Sequence, residues 1–200
     1  MTRLPSLGPR GEGWLAAQLA LIFAVGYAPG VDPWRLTDAA AAVTAILAVI
    51  GAAFSTLGVA IAALASLELR RRRAFSPLPM PTDEGQLVET GLYARVRHPV
   101  YSGIALGGFG WAAARASPLA TAALVALVVV LYLKASREED WLARRFPEYA
   151  AYRARTKRLI RPTNARSHHP ARSGAAQAGA DATGVTSTRT RGLWRGRARP

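Results

Sequence analysis

Two short segments of the sequence carry side chains that could bind a charged ligand, and the first lies around residue 98. The stretch GQLVETGLYARVRHPVYSG (residues 85–103) holds His98 and Tyr101 on either side of a proline and a valine. A proline disfavours helix in the residue before it but is well tolerated in the first helical turn. Pro99 is therefore predicted to open a helix, with His98 and Tyr101 beside its free N–H groups and positive dipole end. Such a helix start suits an anion, although both side chains are equally typical of a membrane interface.

The second segment is KASREEDWLARRFPEYAAYRARTKRLIRP (residues 134–162), which follows a long apolar run. Helical spacing places five residues on one stripe of a predicted helix: Lys134, Glu138, Trp141, Leu142 and Arg145. Glu138 and Glu139 come just where this helix leaves the apolar run, among many arginines. The two acids could belong to a binding site. They could equally form helical ion pairs with neighbouring basic residues, worth about 0.2–0.5 kcal/mol each.

Four apolar runs must position these two segments. A helix that crosses a bilayer needs about 20 mostly apolar residues, within a range of about 17–25. The second uncharged run is long enough for a short buried hairpin, but no turn cluster interrupts it, so one long helix is favoured. The predicted spans cover approximately residues 13–31, 39–67, 99–115 and 117–136.

The last two spans are predicted to form a helical hairpin. Its turn is expected at residues 115–118, with Pro118 in the first turn of the fourth helix, where its missing N–H has no cost. Gly103 and Gly107 would give the third helix a face of small residues that lets another backbone approach closely. Glycine is also simply common in membrane helices.

The distribution of basic residues predicts how the chain is oriented. Of the 26 Lys and Arg residues, 24 lie at the N-terminus, in segment 68–98, or from Lys134 onward; the two opposite loops carry only Arg35 and Arg115. By the positive-inside rule, both termini and the central loop face the cytoplasm. The sequence thus predicts an all-α polytopic membrane protein with about four transmembrane helices. The Arg run at 70–73 is interpreted first as a topology anchor and anionic-lipid contact.

The composition excludes several classes of site. Because cysteine is absent, the chain can form no disulfide, zinc–thiolate site or catalytic thiol, and no metal site is predicted. A net charge of +14 in a soluble protein would suggest nucleic acid. The long uncharged runs instead indicate membrane lipids as partners, and no nucleic acid is expected. The Ala- and Arg-rich composition is typical of a GC-rich bacterial genome, which indicates the bacterial plasma membrane.

The C-terminal part of the chain contains two segments whose composition differs from that of the apolar runs. Tyr149 and Tyr152 lie among arginines, as expected for an amphipathic helix on the membrane surface. From residue 163 onward, Ala, Gly, Ser, Thr and Arg dominate, and such a segment cannot bury enough apolar surface to order itself. Residues 1–162 are therefore predicted to form the membrane domain and residues 163–200 a disordered basic tail.

Together these residues carry a family resemblance. Residues 73–162 resemble the membrane methyltransferases typified by isoprenylcysteine carboxyl methyltransferase, with the phospholipid methyltransferases as relatives. The match combines an RHPxYxG motif with an EExxL motif about 40 residues later, separated by an apolar hairpin. The motifs that carry it are, in order, Gly91-Leu92-Tyr93, Arg97-His98-Pro99-x-Tyr101-x-Gly103, Glu138-Glu139-x-x-Leu142, Phe146-Pro147-Glu148-Tyr149-x-x-Tyr152 and Arg158-Leu159-Ile160-x-Pro162.

The resemblance implies methyl transfer from S-adenosylmethionine at the cytoplasmic membrane face. It places Lys134 at the lipophilic substrate, where the eukaryotic enzyme has an arginine, and a lysine lacks the bidentate fork that suits a carboxylate. Glu139 is a candidate general base. The cofactor would be bound by Gln86, Leu87, Val88, Tyr93, His98, Pro99, Val100, Tyr101 and Glu138.

Two functions from different classes follow from the sequence. The first is a methyltransferase whose acceptor is a carboxylate, as in the isoprenylcysteine enzymes, or a lipid amine. The second is a non-enzymatic four-helix membrane protein whose basic tail binds anionic lipid or a protein partner. Deleting residues 163–200 would spare the enzyme and cripple the binding protein. The sequence does not indicate an oligomeric state.

Overall fold

The computed structural model describes residues 5, 7–35, 41–80 and 86–159. In this part of the chain, as predicted, all regular elements are helical, and the second apolar run is one continuous helix. The predicted tail, residues 163–200, lies outside the described residues. The elements are α1 (Glu12–Val31), α2 (Ala41–Arg71), a 3₁₀ turn (Gly91–Ala94), α3 (Pro99–Ala114), α4 (Pro118–Arg145) and α5 (Tyr149–Arg155).

Three of the helices, α1, α2 and α4, are long and apolar enough to cross a membrane. At about 1.5 Å per residue, the 31 residues of α2 and the 28 of α4 exceed the hydrocarbon core of about 30 Å. The fourth span was predicted at α3, whose 16 residues reach only about 24 Å. Helix α4 also continues nine residues past the predicted end of its span, so the Glu138-Glu139 pair lies on a rigid extension of a membrane helix.

Helices α1 and α4 are antiparallel neighbours, and polar groups join them at one end. Ser117 caps α4 by accepting a hydrogen bond from the N–H of Ala120 at 3.1 Å. The Asp32 carboxylate, just past the end of α1, accepts from the Ser117 hydroxyl and from the N–H of Leu119. Arg35 donates to the backbone oxygen of Arg115 at 3.1 Å. The end of α1 is thereby fixed to the start of α4.

Helices α2 and α3 pack together through glycines spaced seven residues apart on each helix. Gly51 and Gly58 of α2 lie against Gly110 and Gly103 of α3. A Cβ atom at Gly58 would lie 2.6 Å from the carbonyl oxygen of Gly103, which leaves no room for a side chain. The predicted pair on α3 was Gly103 and Gly107. Both glycines lie against α2, because a Cβ at Gly58 would also come within 2.3 Å of the Gly107 nitrogen. A Cβ added at Gly107 itself, however, would meet its nearest neighbour at an ordinary 3.8 Å.

Replacing Gly58 with Ala should therefore destabilise the protein. The new methyl group would meet backbone atoms of α3, which cannot move aside as a flexible side chain can. We expect a loss of about 1–3 kcal/mol in the free energy of unfolding, the usual cost of overpacking. Chemical unfolding in detergent, followed by circular dichroism, measures the loss. Gly107→Ala, in the same interface, is the matched control and should be neutral or slightly stabilising, since alanine favours helix. Equal losses in both variants would contradict the close packing at Gly58.

Candidate functional site

The segment before α3 is fixed by the segment that follows α5. Val96 and Lys157 form an isolated parallel β-bridge. The N–H of Arg97 donates to the carbonyl of Lys157 at 2.8 Å, and the N–H of His98 donates to that of Arg158 at 3.1 Å. These bonds position the RHP motif, although its residues lie about 60 positions away in the sequence from their partners.

The Glu139 carboxylate joins three parts of the chain. Its side chain is 2% exposed and accepts from Arg97 Nε at 2.9 Å and from Arg158 Nη2 at 2.6 Å. His98 Nε2 lies 3.3 Å from the same carboxylate. Arg97 also donates to backbone oxygens of Arg153 and Thr156, so the chain after α4 folds back over this cluster. The simple helical ion pairs considered for Glu139 are therefore replaced by contacts between distant segments.

Glu138 occupies the other side of His98. Its carboxylate lies 3.3 Å from His98 Nδ1 and accepts a hydrogen bond from the Tyr101 hydroxyl. The rings of His98 and Tyr101 are stacked, with centroids 5.4 Å apart and planes 2° apart. The imidazole is thus held between two carboxylates and against an aromatic ring.

This environment favours the charged form of His98. Burial by itself would lower the pKa of the imidazole, but the hydrogen bonds and charges of Glu138 and Glu139 outweigh it and raise the pKa above its usual 6.5. His98 is therefore an imidazolium at pH values where a free histidine is already neutral.

A cavity of about 240 Å³ opens beside these residues. Its lining contains every residue predicted to bind the cofactor except Pro99, together with Lys134. Glu139 is absent from the lining, and its oxygens are taken up by Arg97, Arg158 and His98. The structure therefore places the candidate general base behind His98 and outside the cavity lining. Pro99 also lies outside the lining, as the first residue of α3.

Lys134 lies at the end of the cavity that faces α1. Its side chain is 1% exposed, and its ammonium donates to Gln18 Oε1 and to the carbonyl of Pro77, both at 2.7 Å. The same nitrogen lies 5.4 Å from the ring centre of Tyr101. Lys134 therefore links α1, the loop after α2 and the start of α3, in addition to lining the cavity.

The opposite end of the cavity has an aromatic wall. Tyr149 and Tyr152 are 1% and 2% exposed, and both line the cavity with Tyr93 and Phe146. The Tyr152 hydroxyl donates to the carbonyl of Tyr93 at 2.8 Å. The expectation that α5 lies on the membrane surface is therefore wrong for its tyrosines, because the Arg97 contacts fold α5 back onto the site.

Sequence reasoning missed the parts of the cavity wall supplied by α1 and by the loop after α2. Leu15 and Gln18 come from α1, and residues 74–79 come from the loop. Gln18 had a detectable signal, since it is the one side-chain amide in an apolar run, and polar groups within a membrane helix are usually functional or paired. The loop had a signal as well, because Arg73-Ala74-Phe75-Ser76 resembles an Arg-x-Phe/Trp-Ser stretch of the isoprenylcysteine enzymes, although no binding role was predicted for it.

Comparison with known proteins identifies a family for this chain. The model of the phospholipid methyltransferase family matches residues 46–149. No curated protein and no solved structure matches the chain significantly. The matched region runs from α2 to the first residue of α5, and it contains the RHPxYxG and EExxL motifs. The predicted resemblance to this group of integral membrane methyltransferases is confirmed.

Removing the Glu139 carboxylate should strongly destabilise the fold. Glu139→Ala leaves the buried guanidinium of Arg97 without its counter-charge, and a broken buried pair typically costs about 3–5 kcal/mol. Unfolding in detergent measures this loss. Glu89→Ala is the matched control, because Glu89 pairs with Arg155 at 2.6 Å on the surface, where a pair is worth about 0–1 kcal/mol. A loss no larger than that of the control would show that Glu139 does not hold these segments together.

The raised pKa of His98 predicts how stability depends on pH. Because the folded-state pKa lies above the unfolded value of about 6.5, the contribution of His98 is fully present below that pH and is lost as pH rises through the folded-state pKa. The free energy of unfolding, measured from about pH 5.5 to 8.5, should therefore fall more steeply in the wild type than in His98→Gln. Parallel curves would contradict the charged imidazole.

Proposed function

The chain belongs to the phospholipid methyltransferase family, and on that premise we propose that it transfers the methyl group of S-adenosylmethionine to a lipid at the cytoplasmic face of a membrane. One observation carries the proposal. A single cavity collects Glu138, His98 and Tyr101 at the start of α3, and it opens next to helices that are apolar enough to cross a bilayer.

The side chains present fit this cofactor. Its amino-acid half carries an ammonium and a carboxylate, and the cavity offers the Glu138 carboxylate beside the imidazolium of His98 and the N-terminus of α3. Its other half is a flat adenine with a ribose, and the cavity offers an aromatic wall. Glu138 would bind the ammonium, and Gln86, Leu87 and Val88 would cover the ligand.

When bound, the cofactor supplies a methyl group on a sulfonium, and the acceptor's lone pair forms a bond to the methyl carbon as the electrons of the carbon–sulfur bond return to sulfur. The protein must hold the two reactants in line and exclude water, and orientation alone can contribute about 7–11 kcal/mol. The buried pairs around Glu139 keep His98 and the N-terminus of α3 rigid for this task.

The methyl acceptor would enter at the end of the cavity nearest α1. Leu15 and Gln18 line that end, and the exposed face of α1, with Phe23 and Tyr27, is apolar. A lipid can therefore place its tail among the helices and its headgroup near Lys134. The methylated group is an amine or a carboxylate. For a carboxylate, Lys134 is the cation available, although its ammonium already has two oxygen partners.

The topology of the proposed enzyme follows from the same arrangement. We place the methyltransferase domain within residues 1–162, with α3 as a fourth, short span supported along its length by α2. The cavity lies at the end of the bundle that carries most of the Lys and Arg residues, so both termini and the site face the cytoplasm. In a bacterium this would be the plasma membrane.

Binding of S-adenosylmethionine to the detergent-solubilised protein tests the proposal. Calorimetry should detect binding to the wild type, and Glu138→Gln should weaken it by about 10- to 100-fold, because it removes a charge-assisted hydrogen bond. Asp140→Asn is the matched control, since Asp140 lies two residues away on the same helix and is exposed. Melting curves of each variant establish that it is folded.

A second step identifies the acceptor. Transfer of labelled methyl to phosphatidylethanolamine would identify an amine acceptor, and transfer to a prenylated cysteine analogue would identify a carboxylate. Absence of cofactor binding by folded wild-type protein would contradict the enzyme and favour the non-enzymatic alternative.

A further inference from the structure

Gln18 is a polar side chain inside an apolar membrane helix, and only one side of its amide is occupied. The residue is 7% exposed and lies on the inner face of α1, in line with the buried Trp14, Val25 and Ala28. Its Oε1 atom accepts a hydrogen bond from Lys134 Nζ at 2.7 Å. Because an ammonium can only donate, this contact fixes the amide with its oxygen toward Lys134 and its NH₂ group on the other side.

The NH₂ group of Gln18 donates to no residue that the structure describes. In that part of the chain, the fully buried side-chain atoms that lack a partner are Arg137 Nε and Tyr149 Oη. The nitrogen of Gln18 is not among them, so it keeps accessible surface. The inner face of α1 packs against α4, and on that face Leu15 and Gln18 line the cavity. The open donor is therefore accessible from the cavity.

Lys134 adds a positive charge next to this donor. Its two hydrogen-bond partners, Gln18 Oε1 and the carbonyl of Pro77, are neutral, and an ammonium has three N–H groups, so one remains. Glu138 lies one turn further along the same face of α4, but its carboxylate is paired with His98. A buried cation whose bonded partners are neutral favours an anion nearby, because charges attract strongly away from water.

Apolar packing closes the bundle beyond Gln18 and Lys134. Val25, two helical turns after Gln18 on α1, is 4% exposed and packs with Leu127 and Leu131 of α4. The lining contributed by α1 and by the loop after α2 is also mainly apolar, with Leu15, Ala74, Phe75, Pro77, Leu78 and Pro79. This part of the cavity therefore suits an amphiphile that has an apolar body and a charged end.

We propose that Gln18 and Lys134 form the subsite for an anionic group of the methyl acceptor. The Gln18 NH₂ group donates to a carboxylate or phosphate oxygen, and Lys134 supplies the opposite charge. The inference rests on the proposed function and adds Gln18 as an acceptor-binding residue. A carboxylate in the subsite would be the methylated group itself, whereas a phosphate would belong to a phospholipid headgroup whose amine is methylated.

Gln18→Glu separates this role from a purely structural one. Glutamate keeps an oxygen for Lys134 and nearly the same shape, but it has no NH₂ group, and its charge neutralises that of the lysine. The melting temperature should be unchanged or raised, while an anionic ligand loses its donor and meets a negative charge. Gln18→Leu also removes the contact with Lys134 and should lower the melting temperature. Leu19→Met, at an exposed neighbour on α1, is the control and should affect neither stability nor binding.

Calorimetry on the full-length protein in a neutral detergent measures the affinity for dodecanoate and dodecyl phosphate, with the neutral dodecanamide for comparison. The wild type should bind at least one of the two anions more tightly than dodecanamide. Gln18→Glu should weaken that binding by about 10- to 100-fold, the value of a charge-assisted hydrogen bond. A preference for dodecanoate would identify a carboxylate as the natural group, and a preference for dodecyl phosphate would identify a phospholipid headgroup.

The same variants distinguish failure of this inference from failure of the proposed function. Gln18→Glu should bind S-adenosylmethionine as the wild type does, since Glu138 and His98 are unchanged. If the wild type binds S-adenosylmethionine but prefers neither anion to dodecanamide, or if Gln18→Glu binds the anions equally well, the subsite is wrong while the proposed function stands. If the folded wild type does not bind S-adenosylmethionine, the proposed function is overturned, and the role of the subsite in methyl transfer with it.

Discussion

The geometry of the cavity depends on a carboxylate that does not line it. Glu139 is held by Arg97 and Arg158 and lies against His98, and these partners come from the start of α3 and from the chain after α5. In a buried environment the cost of leaving any of these charges unpaired is several kcal/mol. The cluster therefore forms as a unit. When it forms, it fixes the direction of the imidazole and the return of α5, which places Tyr149 and Tyr152 on the cavity wall.

Two consecutive acids of α4, Glu138 and Glu139, face different parts of the protein. Residues next to each other on a helix point about 100° apart, so Glu138 faces the cavity while Glu139 faces the segments packed outside it. His98 lies between them and contacts both. The His98 imidazolium therefore connects Glu138, the proposed ligand-binding acid, to the buried Glu139. Through this contact the buried ion cluster can fix the position of Glu138 without itself contacting the ligand.

Much of this fold could be predicted from local patterns. Long uncharged runs predicted the membrane helices, and the prolines at 99 and 118 marked helix starts that the structure confirms. Of the predicted stripe on α4, Lys134, Glu138 and Leu142 line the cavity, whereas Trp141 and Arg145 do not. Contacts between distant segments could not be predicted in this way. The contact of Gly58 with Gly103 and Gly107 depends on the register of α2 against α3, and the burial of Tyr149 depends on Arg97, more than 50 residues earlier.

The pairing of helices has a consequence for biosynthesis. Helices α2 and α3 are neighbours in sequence apart from one loop and pack along their glycines, so their pairing needs no later part of the chain. Helix α1 has its main partner in α4, and its residue Gln18 meets Lys134 only after more than one hundred further residues are made. The RHP segment in turn waits for residues 157 and 158. The pocket can thus close only after residues 157 and 158 have been synthesised, and a truncation just before residue 157 would leave the membrane helices in place around an unfinished site.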